Sequence, residues 1–147
     1  MKKTMADKLG PKEKIYEAYS ALADERVKLE EDKASISSSD SKKTYTIRWR
    51  DNVYVSDDNA TYWQGYPGYP VIAVMMLKGE LPYDKEVSEL FKDVNWHELN
   101  NKYKRDYAKA VKEVISERKL NEDEIDKEVE KVYEQLKEAD IIIRRKL

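Results

Sequence analysis

Apolar side chains recur at helical spacing near the start of the chain: Ile15, Ala18, Tyr19 and Leu22 share one face, because positions three and four apart stack on a helix. Pro11 sits where a first helical turn tolerates its missing N–H. The spacing therefore predicts an amphipathic helix from Pro11 to about Ala23, preceded by a flexible leader over residues 1–10. Periodicity then changes to alternation. Val27 and Leu29 begin a strand, Ala34 to Ser38 form a second around Ile36, and Thr44 to Arg50 form the clearest one. In it Tyr45, Ile47 and Trp49 point to one side, and Thr44, Thr46, Arg48 and Arg50 to the other. Ser37 to Ser41 supply a polar turn. Asp51-Asn52 supplies a tight one into Val53-Tyr54-Val55, with Asn as the residue that tolerates positive φ. The four runs predict an antiparallel meander with one buried and one wet face.

Pro70 starts a helix through about Lys78 that has no polar side at all: Val71, Ile72, Ala73, Val74, Met75, Met76 and Leu77 are consecutive. Such a helix must be covered on nearly all sides, so it is the expected core helix, ended by Gly79. Asp84 is placed to cap a short helix carrying Val87, Leu90 and Phe91. Asn95 with Glu98 forms a capping box for a longer one, with Leu99, Tyr103, Tyr107, Ala110 and Val114 as its buried stripe. Asn121 with Glu124 repeats the signal. Ile125, Val129, Val132, Leu136, Ala139 and Ile143 then alternate in steps of four and three, a narrow seam suited to an antiparallel helix pair or a short coiled-coil contact. Packing within the chain or self-association would each use that seam. The expected fold class is α+β: a small antiparallel β-sheet of three to four strands packed on a buried central helix, followed by a helical C-terminal half over residues 81–147. The 147 residues fit one domain.

Composition narrows the function. Hydrophobic residues make up 40% and charged residues 39%, far above the usual quarter or so of charge, which suits long solvent-washed helices. A net charge of -2 removes the global pull towards DNA packaging or an anionic membrane. With no cysteine, disulfides, thiol catalysis and thiolate metal sites are excluded. The longest apolar run, Val71 to Leu77, falls far short of the roughly 20 residues of a membrane helix. No apolar stretch comes after Lys2 and Lys3, so no secretion signal is expected. The expectation is a cytoplasmic protein without a membrane partner, with a composition that leans towards a thermophile.

Candidate chemistry is sparse. His97 is the one histidine and has no recruited nucleophile. The acids from Asn121 to Asp126 lack the alternating ligands and central glycine of a calcium loop, and suit a helix N-terminus instead. Asp57 and Asp58 are neighbours that point to opposite sides of an extended chain, which favours a turn over a shared acid/base site. No phosphate-cradling glycine pattern and no nucleophile elbow is present, so no catalytic residue and no cofactor is assigned. The unusual stretch is Tyr62-Trp63-Gln64-Gly65-Tyr66-Pro67-Gly68-Tyr69-Pro70. Its glycines permit turns and its prolines stiffen what lies between. Such a loop either lids the core or offers Tyr62, Trp63, Tyr66 and Tyr69 as stacking faces. Lys42, Lys43, Arg48 and Arg50 form a basic stripe on the adjacent hairpin, either a solvated strand face or a phosphate-binding one.

Thr44-Tyr45-Thr46-Ile47, with Pro67-Gly68-Tyr69-Pro70 and the Val71-to-Leu77 helix after it, resembles the SWIM zinc-finger module. That ββα unit carries a Cys-x-Cys pair, then Pro-Cys-x-His, then an Ile/Leu-Ala-Val-rich helix. In that register Gly68 and Pro70 stand where the second Cys and the His would be, and the Asp57-to-Asn59 region replaces the first pair. The resemblance covers a quarter to a third of the chain, which otherwise resembles small archaeal proteins. It implies a role in nucleic-acid or protein interaction, with no metal, and with ring packing fixing the loop in place of zinc. The resulting expectation is a non-catalytic binding module for a protein or nucleic acid, acting through Arg48, Arg50, Tyr62, Trp63, Tyr66 and Tyr69 and favoured as a monomer. The alternatives are a small-molecule enzyme with a pocket lined by the aromatic loop and Asp57 or Asp58, and an assembly protein acting through its C-terminal helices. Adding zinc, or a chelator, is expected to leave the melting temperature unchanged; a metal-dependent shift would overturn the metal-free reading.

Overall fold

The helix without a polar side is the centre of the molecule. In the computed structural model, which describes residues 9–147, Tyr69–Leu77 is helical and Pro70 to Met76 are all buried. In chain order the elements are α1 (Lys14–Ala23), β1 (Val27–Leu29), β2 (Lys33–Ser37), β3 (Thr44–Arg50), β4 (Val53–Ser56), a π-helical segment (Ala60–Gln64), α2 (Tyr69–Leu77), α3 (Lys85–Glu89), α4 (Trp96–Lys102), α5 (Tyr107–Arg118), α6 (Glu122–Glu138) and β5 (Ile142–Arg144). Helix α2 packs on α1 and on β1, β3 and β4. Each fully buried aliphatic side chain there contributes about 1.5–3 kcal/mol. Gly79, at φ 80°, ends the helix with Gly79 N donating to Met76 O and Glu80 N to Met75 O, the pairing of a Schellman cap. Residues 1–8 of the expected leader lie outside the described residues. Leu9 packs against the core, and the Gly10 carbonyl accepts from the Tyr133 hydroxyl at 3.0 Å.

Strands β1 to β4 form the expected antiparallel meander, with Ile36 paired to Tyr45 and Ile47 to Ser56. Its hairpin turn uses Asp51, not Asn52, as the positive-φ residue (53°). Asn52 instead ties down the chain end: its Nδ2 donates to Asp140 O at 3.0 Å and its carbonyl accepts from Ile142 N at 2.8 Å. There the structure departs from the seam read through Ile143. Helix α6 ends at Glu138, Ala139 is extended, and Ile142–Arg144 adds a fifth strand parallel to β4. The sheet is thus mixed rather than antiparallel. Three successive β-branched residues favour a strand, and β4 offers them an unpaired edge.

The second departure is at the long helix expected after Asn95. It breaks into α4 and α5 because Lys104 (φ 52°) and Arg105 (φ 68°) are left-handed, and Asp106 then caps α5 by accepting from Lys109 N. The Asp84, Asn95 and Asn121 caps form as the sequence indicates. The seam residues Ile125, Val129, Val132 and Leu136 are buried in this chain's own core, where α6 lies against α1. Buried hydrogen bonds tie α1 to α3 and α4: Ser88 Oγ donates to the Tyr19 carbonyl at 2.7 Å, and Trp96 Nε1 to Ser20 Oγ at 2.7 Å. No described helix is long and apolar enough to cross a membrane.

Between β4 and α2 the chain turns around one buried carboxylate. Ser56 Oγ donates to Asp58 Oδ1. The Thr61 amide and hydroxyl donate to Oδ2 at 3.1 and 3.0 Å, and Thr61 Oγ1 accepts from Gly68 N at 2.9 Å. A Cβ on Gly68 would stand 2.2 Å from Asp58 Oδ2, so only glycine lets the strand end and the helix start close on each other. The bend is therefore held by a carboxylate network, which corrects the expectation that ring packing alone fixes it. Burial raises the Asp58 pKa, against the hydrogen bonds from Ser56 and Thr61 that lower it. A raised carboxyl contributes most below its unfolded value and loses that contribution as pH rises through its folded value. Asp58→Asn, which cannot accept at both oxygens, is expected to destabilise by about 1–3 kcal/mol at acid pH. Thermal melts should show that deficit shrinking as pH rises above the ordinary aspartate range; a deficit that widens would mean the carboxylate is not strained as an ion.

Candidate functional site

A cleft of about 650 Å³ lies where the Asp58 turn faces α1 and the α4–α5 junction, a size typical of small-molecule sites. Helix α1 supplies Lys14 and Glu17, the β2–β3 turn Ser38, Ser39 and Lys43, and β3 Tyr45. The segment after β4 supplies Asp58, Trp63, Gln64, Tyr66 and Tyr69. The α4–α5 region closes it with His97, Asn100, Asn101, Arg105 and Tyr107.

Glu17 is the residue that sequence reasoning missed. On α1 it lies opposite the stripe of Ile15, Ala18, Tyr19 and Leu22, so the pattern places it in water. Helix α1 is instead buried all round from Ile15 to Ala21, and the Glu17 side chain is only 9% exposed. Lys14 Nζ lies 3.2 Å from its carboxylate and 4.2 Å from the Tyr107 ring centroid. Desolvation pushes the Glu17 carboxyl up, while Lys14, Arg26 and a hydrogen bond with Asn100 act in the other direction. A carboxylic acid raised in this way retains its proton at higher pH and can donate it.

The aromatic loop divides between wall and lip. Ala60–Gln64 is π-helical and ends at Gly65, φ 76°; π turns are rare and gather at functional sites. The segment holds Trp63 at the cleft lip, 63% exposed. Tyr62 is not a wall residue. It packs edge-on to Trp63 at 4.8 Å, and Arg145 braces both, with Cζ 5.2 Å from each ring centroid and Nε donating to Tyr62 O at 3.0 Å. Tyr69 stands edge-on to Tyr45 at 6.5 Å. Tyr66 is half-buried beside Gly10.

Asp57 and Asp58 separate as their spacing implies: Asp57 is exposed and its Oδ1 accepts from Thr46 N at 2.8 Å, while Asp58 is buried in the cleft wall. His97 is exposed, with its ring Nε2 3.2 Å from Asn101 Nδ2 and 3.9 Å from Asp40. Its backbone N donates to Ser39 Oγ at 3.1 Å, which fastens the β2–β3 turn to α4. Lys43 and Arg105 form no ion pair among the described residues. Arg105 is held left-handed by its amide donating to Asn100 O at 2.7 Å. Strain of this kind costs roughly 1–3 kcal/mol per residue and clusters at binding sites. Arg48 and Arg50 are not brought to the cleft; they stand exposed on the other face of β3. Among the described residues no three acidic or histidine side chains gather as a metal ion would require.

No curated protein and no solved structure gives a significant match to this chain. Residues 7–142, which take in every described helix, match the model of the family described as Uncharacterised conserved protein UCP014422, and the chain belongs to that family.

Proposed function

We propose that the protein binds, in this cleft, a small molecule that carries an anionic group and a planar ring. The supporting observation is convergence. A buried carboxyl (Glu17), ring faces (Trp63, Tyr66, Tyr107) and cations without ion-pair partners (Lys43, Arg105) line one opening of ligand size. Stacking on an aromatic side chain contributes about 1–3 kcal/mol per ring. Charge-assisted hydrogen bonds from Arg105 and Lys43 hold the anion. The amides of Gln64, Asn100 and Asn101 suit hydroxyl or carbonyl groups between the two. In its protonated form the Glu17 carboxyl can donate to the ligand. The reading joins the aromatic loop and Asp58 to a pocket, as the small-molecule alternative from the sequence had it, with Glu17 added and Asp57 left out.

Adenosine monophosphate and benzoate serve as probes, with binding read by tryptophan fluorescence. Saturable quenching is expected, with Trp63→Phe removing most of the signal and Arg105→Ala weakening affinity about tenfold or more. No saturable response to either probe, or a response that both variants leave intact, would overturn the reading.

The raised Glu17 carboxyl gives the pH dependence its sign. Affinity for an anion falls as pH rises through the Glu17 pKa, because a donor becomes a second negative charge. In Glu17→Gln, whose amide donates at every pH, the profile is expected to flatten. A profile of unchanged steepness would remove Glu17 from the ligand's contacts.

A further inference from the structure

The face of the sheet turned away from α2 carries cations on four of its five strands and no acid on any. Strand pairing aligns Lys33 with Arg48, Arg48 with Val55, and Val55 with Arg144. Lys33, Arg48 and Arg144 therefore lie in one row across β2 to β5. At about 4.8 Å between strands the row is roughly 14 Å wide. Arg50 lies on the same face one step along β3, and Lys28, paired with Ser35, one step the other way. All five cations are exposed. None has an ion pair among the described residues. The acids that flank these strands in sequence, Glu25, Glu30, Glu31, Asp32, Asp51, Asp57 and Asp140, lie in the connecting segments outside them.

We infer that this face binds the phosphate backbone of a double-stranded nucleic acid without reading its sequence. Alternate residues along a strand are about 6.6 Å apart, so the face is a grid of positive charge with steps of roughly 5–7 Å. Ser35, Ser37, Thr44 and Thr46 line the same side, where hydroxyls donate to phosphate oxygens. The rings of these strands, Tyr45, Trp49 and Tyr54, belong to the opposite face. Among the described residues of these strands no ring lies on the cationic side to stack an unpaired base. Charge complementarity without rings fits a duplex rather than a single strand.

The test uses labelled 20-base-pair RNA and DNA duplexes, with anisotropy read at 50 and 200 mM salt. The wild-type chain is expected to bind both and to lose about a hundredfold in affinity across that range, the dependence of about four phosphate contacts. Arg48→Ala with Arg144→Ala should weaken binding at least tenfold and lower the salt slope by about two. Lys127→Ala with Lys131→Ala on α6, and Trp63→Ala at the cleft, should leave it unchanged. Four results would overturn the inference: no duplex binding at 50 mM salt; equal loss in the α6 variant; tighter binding to a single strand that depends on Trp63; or a dimer in light scattering that the Arg48/Arg144 variant dissolves, which would assign the face to a second copy of this chain. Circular dichroism of the face variant, whose substitutions are on exposed positions, reports that it is folded.

Discussion

A buried carboxylate with no cation beside it is costly, and the turn between β4 and α2 is organised to meet that cost. Asp58 is accommodated out of water because Ser56 and Thr61 direct three donors at it, and removing donors from such a group leaves its full desolvation penalty. The network closes on Gly68 through Thr61. It thereby joins the end of a strand to the start of the innermost helix. The π-helical segment is the chain between those two fixed points. Its irregular winding, and the position of Trp63 on it, result from an anchor that no sliding of the loop can preserve.

The apolar helix imposes the rest. Because α2 has no side that tolerates water, α1 and the sheet must both cover it, and α3 to α6 in turn cover α1. That enclosure carries Glu17 inward. A residue placed on the polar side of an amphipathic helix becomes a buried acid once a second layer closes over that side. The cleft is where the layers do not meet: the Asp58 turn, α1 and the α4–α5 junction leave a gap lined by the groups that could not be buried without partners.

Much of this was legible. Alternation at Tyr45, Ile47 and Trp49 set the inner face of β3, and the Asp84, Asn95 and Asn121 caps marked three helix starts, because these signals are local. What escaped depended on distant parts of the chain. Ile142 and Ile143 fit a helical seam and a strand equally well, and only the open edge of β4 decides between them. Lys104 and Arg105 look like ordinary helical surface. Their left-handed conformation is enforced by the cap at Asp106 and the carbonyl of Asn100, neither of which announces a break when an apolar stripe continues through Tyr107. Glu17 was lost for a related reason, since periodicity reports which side of a helix is apolar and not how many layers will cover it. Of the aromatic loop, Trp63, Tyr66 and Tyr69, grouped by composition, line one cleft, while Arg48 and Arg50 were adjacent to them only in sequence, since strand alternation sends their side chains to the far face.

That separation changes what net charge means here. A chain at -2 has no overall attraction for polyanions, and the composition argument against packaging DNA holds at that level. Yet attraction at contact is governed by charges within about a Debye length, roughly 8–10 Å at ordinary salt. Within that distance the middle of the outer sheet face presents Lys33, Arg48, Arg50 and Arg144, whereas the acids of α6, Glu122, Asp123 and Glu124, are spent on a helix N-terminus. Segregation by secondary structure, in which helix starts collect acids and strands collect cations, lets a nearly neutral protein hold a positive surface. The same segregation extends to the cleft, where Lys43 comes from a turn and Arg105 from the break between α4 and α5.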